Sequence, residues 1–168
     1  GVGCPGLVDP NDGGIISRSF LRWLEPVYLG AALAEHLGIP VFTENDINVS
    51  ALGEMTQLNG EKQDSWAFIS VSTGVGSGII LNQQIVKGFA GGAGELGHLS
   101  VDCDGIPCEC GSRGCLENYI STPCVGSSLG LSQEQYPRAY AVLGGLVENG
   151  QADAVLLYDQ IVKYLATA

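Results

Sequence analysis

The sequence predicts an α/β fold, in which short apolar strands alternate with amphipathic helices and glycine-rich turns. The apolar run Val41–Thr43 comes just before a helical pattern at 47–58, and two β-rich runs follow that helix. Two further amphipathic patterns lie nearer the end of the sequence. Hydrophobic residues make up 45% and charged residues only 15%, which indicates a folded core rather than a disordered segment.

The beginning of the sequence alternates strand and helix. Gly1–Cys4 has the character of a strand end and leads into a turn-rich stretch. Apolar residues then recur at helical spacing over Pro26–Leu37, and Gly38 and Pro40 supply a stop signal. Val41–Thr43 predicts a buried strand directly after that stop.

Asn45 and Asp46 stand between this strand and the second helical pattern, Ile47–Leu58. Asn and Asp are strong N-caps, so capping alone explains either residue. The end of a strand at the mouth of a helix is also where open α/β sheets place groups that contact ligands. In that second interpretation Asp46 takes a proton from a hydroxyl, and Asn45 orients the hydroxyl with its amide.

The two β-rich runs, Trp66–Ser72 and Ser77–Leu81, are joined by Thr73-Gly74-Val75-Gly76, which predicts a hairpin. Glycine-rich connections of this kind are usually only turns. Phosphate binding is the second interpretation, because the backbone N–H groups are unobstructed and Thr73 adds a hydroxyl. The turn lacks the lysine of a P-loop and does not open a helix, which excludes a dinucleotide-binding Rossmann motif.

The segment Gly94–Glu117 gathers one histidine and three closely spaced cysteines in the pattern H-x9-C-x-C-x4-C. Four nitrogen and sulfur donors are the number and type that a closed tetrahedral zinc site uses. Disulfides among the six cysteines are the alternative, but they suit smaller secreted scaffolds. The predicted ligands of a structural zinc ion are His98, Cys108, Cys110 and Cys115.

Two carboxylates flank the predicted metal ligands. Glu95 precedes His98 by three residues and Glu117 follows Cys115 by two, so a metal closing the loop would fix both. Carboxylates bind vicinal hydroxyls through charge-assisted hydrogen bonds, and a metal-bound imidazole offers its other nitrogen to a ligand. A sugar would therefore suit these groups together with Asn45-Asp46, whereas a solvated acidic surface is the simpler alternative.

The last part of the sequence predicts two helices, Gln133–Glu148 and Ala152–Ala168, separated by a turn. A polar stretch, Glu61–Ser65, lies between the first helices and the β-rich runs. We therefore predict that residues 1–63 form the end of an amino-terminal lobe. Residues 64–168 then form an incomplete carboxy-terminal lobe with the zinc-binding loop.

The charge of the chain narrows the classes of partner. The 18 acidic and 7 basic residues give a formal charge of −11, which disfavours nonspecific binding to nucleic acid or to an anionic membrane. The apolar runs are too short to span a bilayer, and no signal-peptide pattern opens the sequence. We therefore expect a cytoplasmic protein that makes no membrane contact.

These residues resemble the ROK family, a group of bacterial sugar kinases and sugar-responsive transcriptional repressors. The similarity lies in Gly94-Glu95-Leu96-Gly97-His98 followed by Cys108–Glu117, with Glu44-Asn45-Asp46 and Ser72–Gly78 in the expected order. It covers nearly the whole sequence. The resemblance implies an actin-like ATPase fold of the ribonuclease-H-like type. It also implies sugar in the cleft between two lobes, ATP beside it, and zinc holding the sugar-contacting loop.

The resemblance also implies a role for each matching residue. Asp46 resembles the general base that deprotonates the sugar hydroxyl attacking the γ-phosphate of ATP. The residues that resemble sugar ligands are Gly6, Ser19, Asn45, Asp46, Glu95, His98 and Glu117. The residues that resemble a phosphate-binding turn of the ATP site are Thr73, Gly74 and Gly76. Mg²⁺ would accompany the nucleotide, because phosphoryl transfer requires charge neutralisation.

Two functions of different classes follow from the resemblance. The first is an ATP-dependent kinase for a hexose or N-acetylhexosamine. The second is the sugar-binding effector domain of a repressor whose DNA-binding helices would precede residue 1. A nonenzymatic zinc-stabilised scaffold is a third interpretation. We expect a homodimer. We also expect this sequence to be a central segment that lacks the family's first phosphate loop and its adenine-binding stretch. Such a segment would not be a competent kinase by itself.

Overall fold

The computed structural model describes residues 1–17, 21–57 and 64–168. The strands are β1 Val2–Cys4, β2 Leu7–Val8, β3 Ile15–Ser17, β4 Trp23–Val27, β5 Thr43–Asn45, β6 Ser65–Val71, β7 Val75–Leu81 and β8 Gln84–Ile85. The α-helices are α1 Leu29–Leu37, α2 Asp46–Gln57, α3 Glu117–Ile120, α4 Thr122–Ser128, α5 Ala139–Glu148 and α6 Ala152–Thr167. Two 3₁₀ helices lie at Leu96–His98 and Gln133–Arg138. The predicted α/β class is therefore confirmed.

The strands form three small sheets among the described residues. Strands β1 and β5 pair in parallel, and this register sets Cys4 opposite Asn45. Strands β2, β3 and β4 form an antiparallel sheet, while the third sheet has the order β6-β7-β8. A parallel pair needs a crossover connection, and here α1 lies within it. The crossover brings the end of β5 beside the loop that follows β1.

The chain divides into two compact units. The first comprises Gly1–Ile69 and Ser77–Gly94, and the second comprises Ser70–Gly76 and Glu95–Ala168. Cys4, Val8 and Ile15 form the buried apolar cluster of the first unit. The predicted lobes, residues 1–63 and 64–168, have other boundaries and stay a prediction.

The apolar core of the second unit lies among its helices. Leu116 and Ile120 of the α3 region are almost completely buried, as are Val125 of α4 and Leu143 of α5. Fully burying one such side chain contributes about 1.5–3 kcal/mol. Cys115 is buried directly before Leu116, so the end of the cysteine-rich loop is anchored in this core.

Two predicted helices differ from the observed ones. The pattern over 26–37 becomes helical only at Leu29, because Trp23–Val27 pairs with β3 as an edge strand, where a proline is tolerated. The pattern over 133–148 is 3₁₀-helical before α5, because Pro137 lacks the N–H that a continuous α-helix needs.

The other predicted elements lie close to their expected places. The buried strand begins at Thr43 rather than Val41, whereas the two hairpin strands and α6 match to within two residues. Helix α2 covers the predicted span up to Gln57, and Leu58 lies outside the described residues. In the part of the chain that the structure describes, no helix is long and apolar enough to cross a membrane.

Candidate functional site

Asn45 links helix α2 to the loop after β1. Its Oδ1 accepts hydrogen bonds from the backbone N–H groups of Ile47 at 2.9 Å and Asn48 at 3.1 Å. Its Nδ2 donates to the carbonyl oxygen of Gly6 at 3.0 Å. The capping interpretation therefore describes Asn45 correctly. Nδ2 keeps a second hydrogen for another acceptor.

Asp46 is the first residue of α2, and its side chain is exposed. Oδ1 accepts a hydrogen bond from the Ile47 N–H at 3.0 Å. Within the described residues Oδ2 makes no hydrogen bond, so it is available to a hydroxyl. A negative charge at this end of a helix also stabilises the helix. The arrangement offers a fixed carboxylate oxygen to solvent or to a ligand.

Gly6 is held in a backbone conformation that other residues rarely adopt. Its φ is +122°, and a Cβ at this position would lie 2.4 Å from the carbonyl oxygen of Ile16. Only glycine fits such a close approach. The carbonyl group that Asn45 contacts is therefore fixed in place. The predicted ligand Ser19 lies outside the described residues.

Glu44 holds the strand end before Asp46 in place through hydrogen bonds and an ion pair. Its Oε1 accepts hydrogen bonds from the Asn45 N–H at 3.0 Å and from Asn48 Nδ2 at 3.1 Å. Its Oε2 pairs with Lys87 Nζ. Burial raises the pKa of the Glu44 carboxyl, but the hydrogen bonds from Lys87, Asn48 and the Asn45 N–H outweigh it and hold the pKa below its ordinary value.

The hairpin turn between β6 and β7 is closed by short backbone hydrogen bonds. The Ser72 N–H donates to the Gly74 carbonyl oxygen at 2.8 Å, and the Ser72 carbonyl oxygen accepts from the Thr122 N–H at 2.7 Å. Thr73 is exposed and Gly74 is half-buried. The turn therefore presents Thr73 to solvent from a backbone tied to α4.

Glu117, at the start of α3, contacts the backbone directly after the hairpin turn between β6 and β7. Its Oε2 accepts a hydrogen bond from the Val75 N–H at 2.9 Å. Gly97 of the 3₁₀ helix packs so close to Val75 that a Cβ would lie 2.0 Å from the Val75 carbonyl oxygen. The structure thus brings Glu117 and the 3₁₀ helix of His98 together around Val75.

The four predicted metal ligands lie together. The ligand atoms of His98, Cys108, Cys110 and Cys115 are all within 4.8 Å of one another. The distance from His98 Nδ1 to Cys108 Sγ is 3.7 Å, and that from Cys110 Sγ to Cys115 Sγ is 3.6 Å. Two sulfur ligands on one tetrahedral zinc ion are separated by about 3.7 Å. The donor set and its spacing therefore fit a four-coordinate metal ion such as zinc.

The cysteine-rich loop is held by its own backbone. The Cys108 N–H donates to the Ser112 carbonyl oxygen at 2.9 Å, and the Gly114 N–H donates to that of Ile106 at 2.8 Å. Gly114 has a φ of +61°, and a Cβ there would lie 1.7 Å from the Asp102 carbonyl oxygen. These contacts preform the loop in the geometry that brings the ligands together.

The pKa values of two thiols in the cluster are shifted in opposite directions. Burial, together with the neighbouring thiols of Cys108 and Cys110, raises the pKa of Cys115 to about 12. A hydrogen bond from the backbone of Ser112 is the main reason that the pKa of Cys110 is lowered. A cation bound among these thiols would stabilise their thiolate forms.

The profile of the ROK family matches residues 1–168. The chain belongs to the ROK family. The resemblance to the ROK family that the motifs indicate is thereby confirmed, and the match extends over the whole chain.

Relatives of this ROK chain include repressors and kinases. The xylose repressor of Bacillus subtilis is 36% identical over 129 residues, which are 77% of this chain and 33% of the repressor. A glucokinase of Halalkalibacterium halodurans is 34% identical over 161 residues, which are 95% of this chain and 44% of the glucokinase. The chain thus spans less than half the length of these two relatives.

A solved structure shares the fold of this ROK chain. The crystal structure of a ROK hexokinase from Thermus thermophilus matches with a TM-score of 0.78 and 33% identity. The match covers 98% of this chain and 54% of that protein. The predicted actin-like ATPase fold is therefore confirmed as the fold of the ROK family, and the chain spans about half of the hexokinase.

The predicted sugar ligands of the ROK chain fall in both compact units. Gly6, Asn45 and Asp46 belong to the first unit, and Glu95, His98 and Glu117 belong to the second. Sequence reasoning missed Glu44 and Lys87 as supports of Asn45. Glu44 has a detectable signal, since it directly precedes Asn45, whereas nothing local to Lys87 indicates its partner.

Proposed function

We propose that the protein is an ATP-dependent sugar kinase of the ROK type, which phosphorylates a hydroxyl of a hexose or an N-acetylhexosamine. The observation that carries the proposal is the exposed Asp46 carboxylate, fixed at the start of α2 beside the hydrogen-bonded Asn45. The similarity to a glucokinase over 95% of the chain supports the same conclusion.

Asp46 is the general base in this proposal. Its Oδ2 accepts the proton of the attacking sugar hydroxyl, while Oδ1 stays bonded to the Ile47 N–H. Asn45 orients the same hydroxyl with the second hydrogen of Nδ2, because Oδ1 and the first hydrogen are already used. The contact of Asn45 with Gly6 keeps this amide in one orientation.

The other sugar ligands are Glu95, His98 and Glu117. Carboxylates accept strong hydrogen bonds from sugar hydroxyls, and Glu117 has one oxygen left when the other holds the Val75 N–H. His98 turns Nδ1 toward Cys108, so its Nε2 is the nitrogen that would meet a hydroxyl. We infer that Gly6 contributes through its fixed backbone.

The nucleotide is proposed to meet the hairpin turn. ATP would supply the γ-phosphoryl group, and Mg²⁺ would neutralise its charge. Thr73, Gly74 and Gly76 would form the phosphate site: Thr73 and Gly74 through their backbone N–H groups, Thr73 also through its exposed hydroxyl, and Gly76 at the start of β7 through its lack of a side chain. Phosphoryl transfer depends mostly on such positioning, which a turn tied to α4 can supply.

We infer that His98, Cys108, Cys110 and Cys115 hold a structural zinc ion. Four protein ligands leave no coordination position for a water molecule, so the metal would have no direct role in phosphoryl transfer. Its role would be to fix the 3₁₀ helix of His98 relative to α3, which carries Glu117.

The decisive experiment is a coupled ATP-turnover assay of the intact protein against a panel of hexoses and N-acetylhexosamines. Asp46→Asn should lower turnover by about 10²–10⁴-fold, because the base is lost while the shape of the side chain is kept. Asp153→Asn is the matched control, since Asp153 is also an exposed carboxylate in the first turn of a helix. Unchanged turnover in Asp46→Asn would refute the mechanism.

The second candidate is the sugar-binding effector domain of a ROK repressor, favoured by the 36% identity to a xylose repressor. A repressor would keep the sugar and metal sites without phosphoryl transfer, and would contact DNA through a segment outside this chain. Sugar-dependent release of operator DNA by the intact protein, without ATP turnover, would favour this candidate. A helix-turn-helix upstream of residue 1 would do the same.

Two properties of the whole protein belong to the proposal as well. We expect a homodimer, which light scattering of the intact protein measures directly. We also expect a cytoplasmic location, which cell fractionation measures. A monomeric mass or a membrane-bound fraction would contradict these two expectations separately from the chemistry.

A further inference from the structure

The carboxylate of Glu117 lies directly against the hairpin turn. Its Oε2 is 2.9 Å from the Val75 backbone nitrogen, which donates the hydrogen bond. A Cβ added to Gly74 would lie 2.7 Å from the same oxygen. Val75 is buried and Glu117 is half-buried, so solvent competes little for this contact. A side chain on α3 thus fixes the backbone of a turn 42 positions earlier.

We propose that Glu117 is a positioning residue that couples the sugar site to the phosphate-binding turn. One carboxylate oxygen holds the Val75 N–H, and the other meets a sugar hydroxyl. This inference rests on the proposed function, because it takes the turn as a phosphate site and Glu117 as a sugar ligand.

The hydrogen bond between Glu117 and the Val75 N–H limits which groups of the turn are available to a phosphate. Because the Val75 N–H is used by Glu117, the groups of the turn before β7 that are left for phosphate are the N–H groups of Thr73 and Gly74 and the Thr73 hydroxyl. The other end of the turn is held by the Thr122 N–H, a backbone group that a bound sugar does not alter. Among the described residues, Glu117 is therefore a side chain through which a bound sugar can act on the turn.

The direction of the coupling follows from conformational entropy. A sugar hydroxyl bonded to Glu117 would restrict the rotamers of its side chain and would hold the Val75 contact more constantly. A nucleotide that binds afterwards would then order a turn that is already fixed, so sugar should strengthen nucleotide binding. By reciprocity, nucleotide should strengthen sugar binding by the same factor.

The test uses calorimetric binding of the ATP analogue AMPPNP with Mg²⁺ to the intact, metal-loaded protein. Glu117→Ala should weaken AMPPNP binding about tenfold, which is the loss expected for a hydrogen bond to a charged acceptor. Glu117→Gln keeps an oxygen acceptor and should restore most of that affinity. Glu148→Ala removes an exposed glutamate at the end of α5 and is the matched control.

Gly74→Ala gives an independent test. The φ of Gly74 lies outside the left-handed region, so alanine is allowed by the backbone, but its Cβ would displace the Glu117 carboxylate. This variant should weaken AMPPNP binding as Glu117→Ala does. The double variant should be no weaker than the worse single variant, because both remove the same contact.

The outcomes separate this inference from the proposed function. Zinc content should be equal in all variants, which excludes loss of the metal as the cause. Equal AMPPNP affinity in Glu117→Ala and the unsubstituted protein would overturn the inference. If the unsubstituted protein does not bind AMPPNP, the kinase proposal fails. The coupling through Glu117 is then tested by hydrogen exchange of the Val75 backbone amide, with and without sugar. The sugar used is the hexose or N-acetylhexosamine that raises the melting temperature of the unsubstituted protein most. Protection of the Val75 amide by this sugar, lost in Glu117→Ala, supports the coupling, and equal protection in both proteins overturns it.

Discussion

The Glu44 carboxylate pairs with the Lys87 ammonium group through one oxygen and accepts the Asn45 backbone N–H through the other. The pair is only partly accessible, because 16% of the Glu44 side chain and 39% of the Lys87 side chain are exposed. Glu44 is also bonded to Asn48 in the first turn of α2. The Glu44–Lys87 pair therefore fixes the strand end from which Asn45 and Asp46 project.

Lys87→Met should loosen this support while keeping most of the apolar length of the side chain. The half-buried Glu44 would lose a charged donor, which should lower the free energy of unfolding by about 1–2 kcal/mol. Urea denaturation measures the change, and Lys163→Met on the exposed face of α6 is the control. If both variants are equally stable, the pair does not support this strand end.

The same pair predicts a pH dependence of stability. The pKa of Glu44 is lower in the folded protein than its ordinary value of 4.5, even though burial alone would raise it. A lowered pKa contributes stability above the unfolded pKa, and this contribution is lost as the pH falls through the folded pKa. Glu44→Gln should therefore lose stability relative to the unsubstituted protein at pH 7, and the difference should shrink below about pH 4.5. A difference that stays constant in urea titrations across this range would contradict the assignment.

The cysteine-rich loop offers a matched pair of substitutions for the metal. Purified protein should contain about one zinc per chain. Cys110→Ser should lower the zinc content and weaken sugar binding before it unfolds the core, because the metal ties down a loop outside that core. Cys103→Ser should change neither property, since Cys103 is exposed and lies outside the ligand cluster. Elemental analysis and thermal shift with sugar measure both effects, and full zinc content in Cys110→Ser would refute the ligand set.

Features that depend on neighbours in the sequence were predicted well. The caps and periodicity of α2 are local, so its start was predicted to within one residue. The spacing of Cys108, Cys110 and Cys115 is also local, and with His98 it identified a cluster that the structure brings together. A short loop leaves these ligands few ways to lie apart.

Features that depend on distant partners were not predictable in the same way. The apolar residues around Pro26 fit a helix until a partner strand is known, and pairing with β3 makes Trp23–Val27 a strand instead. The contact between Glu117 and Val75 joins positions 42 apart, and that of Glu44 with Lys87 joins two separate sequence segments. Charge and residue type alone do not choose among the possible partners in such pairs.

Leu116 links the metal cluster to the core of the second unit, because it lies between Cys115 and Glu117 and is fully buried. Leu116→Ala should lower the free energy of unfolding by about 2–5 kcal/mol through the cavity that it leaves. Leu156→Ala on α6 is the control, since that side chain is 67% exposed and should change stability by less than about 0.5 kcal/mol. Zinc affinity should fall with Leu116→Ala alone, because Cys115 and the start of α3 would lose their common anchor. Denaturation and competition with a zinc chelator measure the two effects. Unchanged zinc affinity in a destabilised Leu116→Ala protein would show that metal binding by the loop does not depend on the packing of the core.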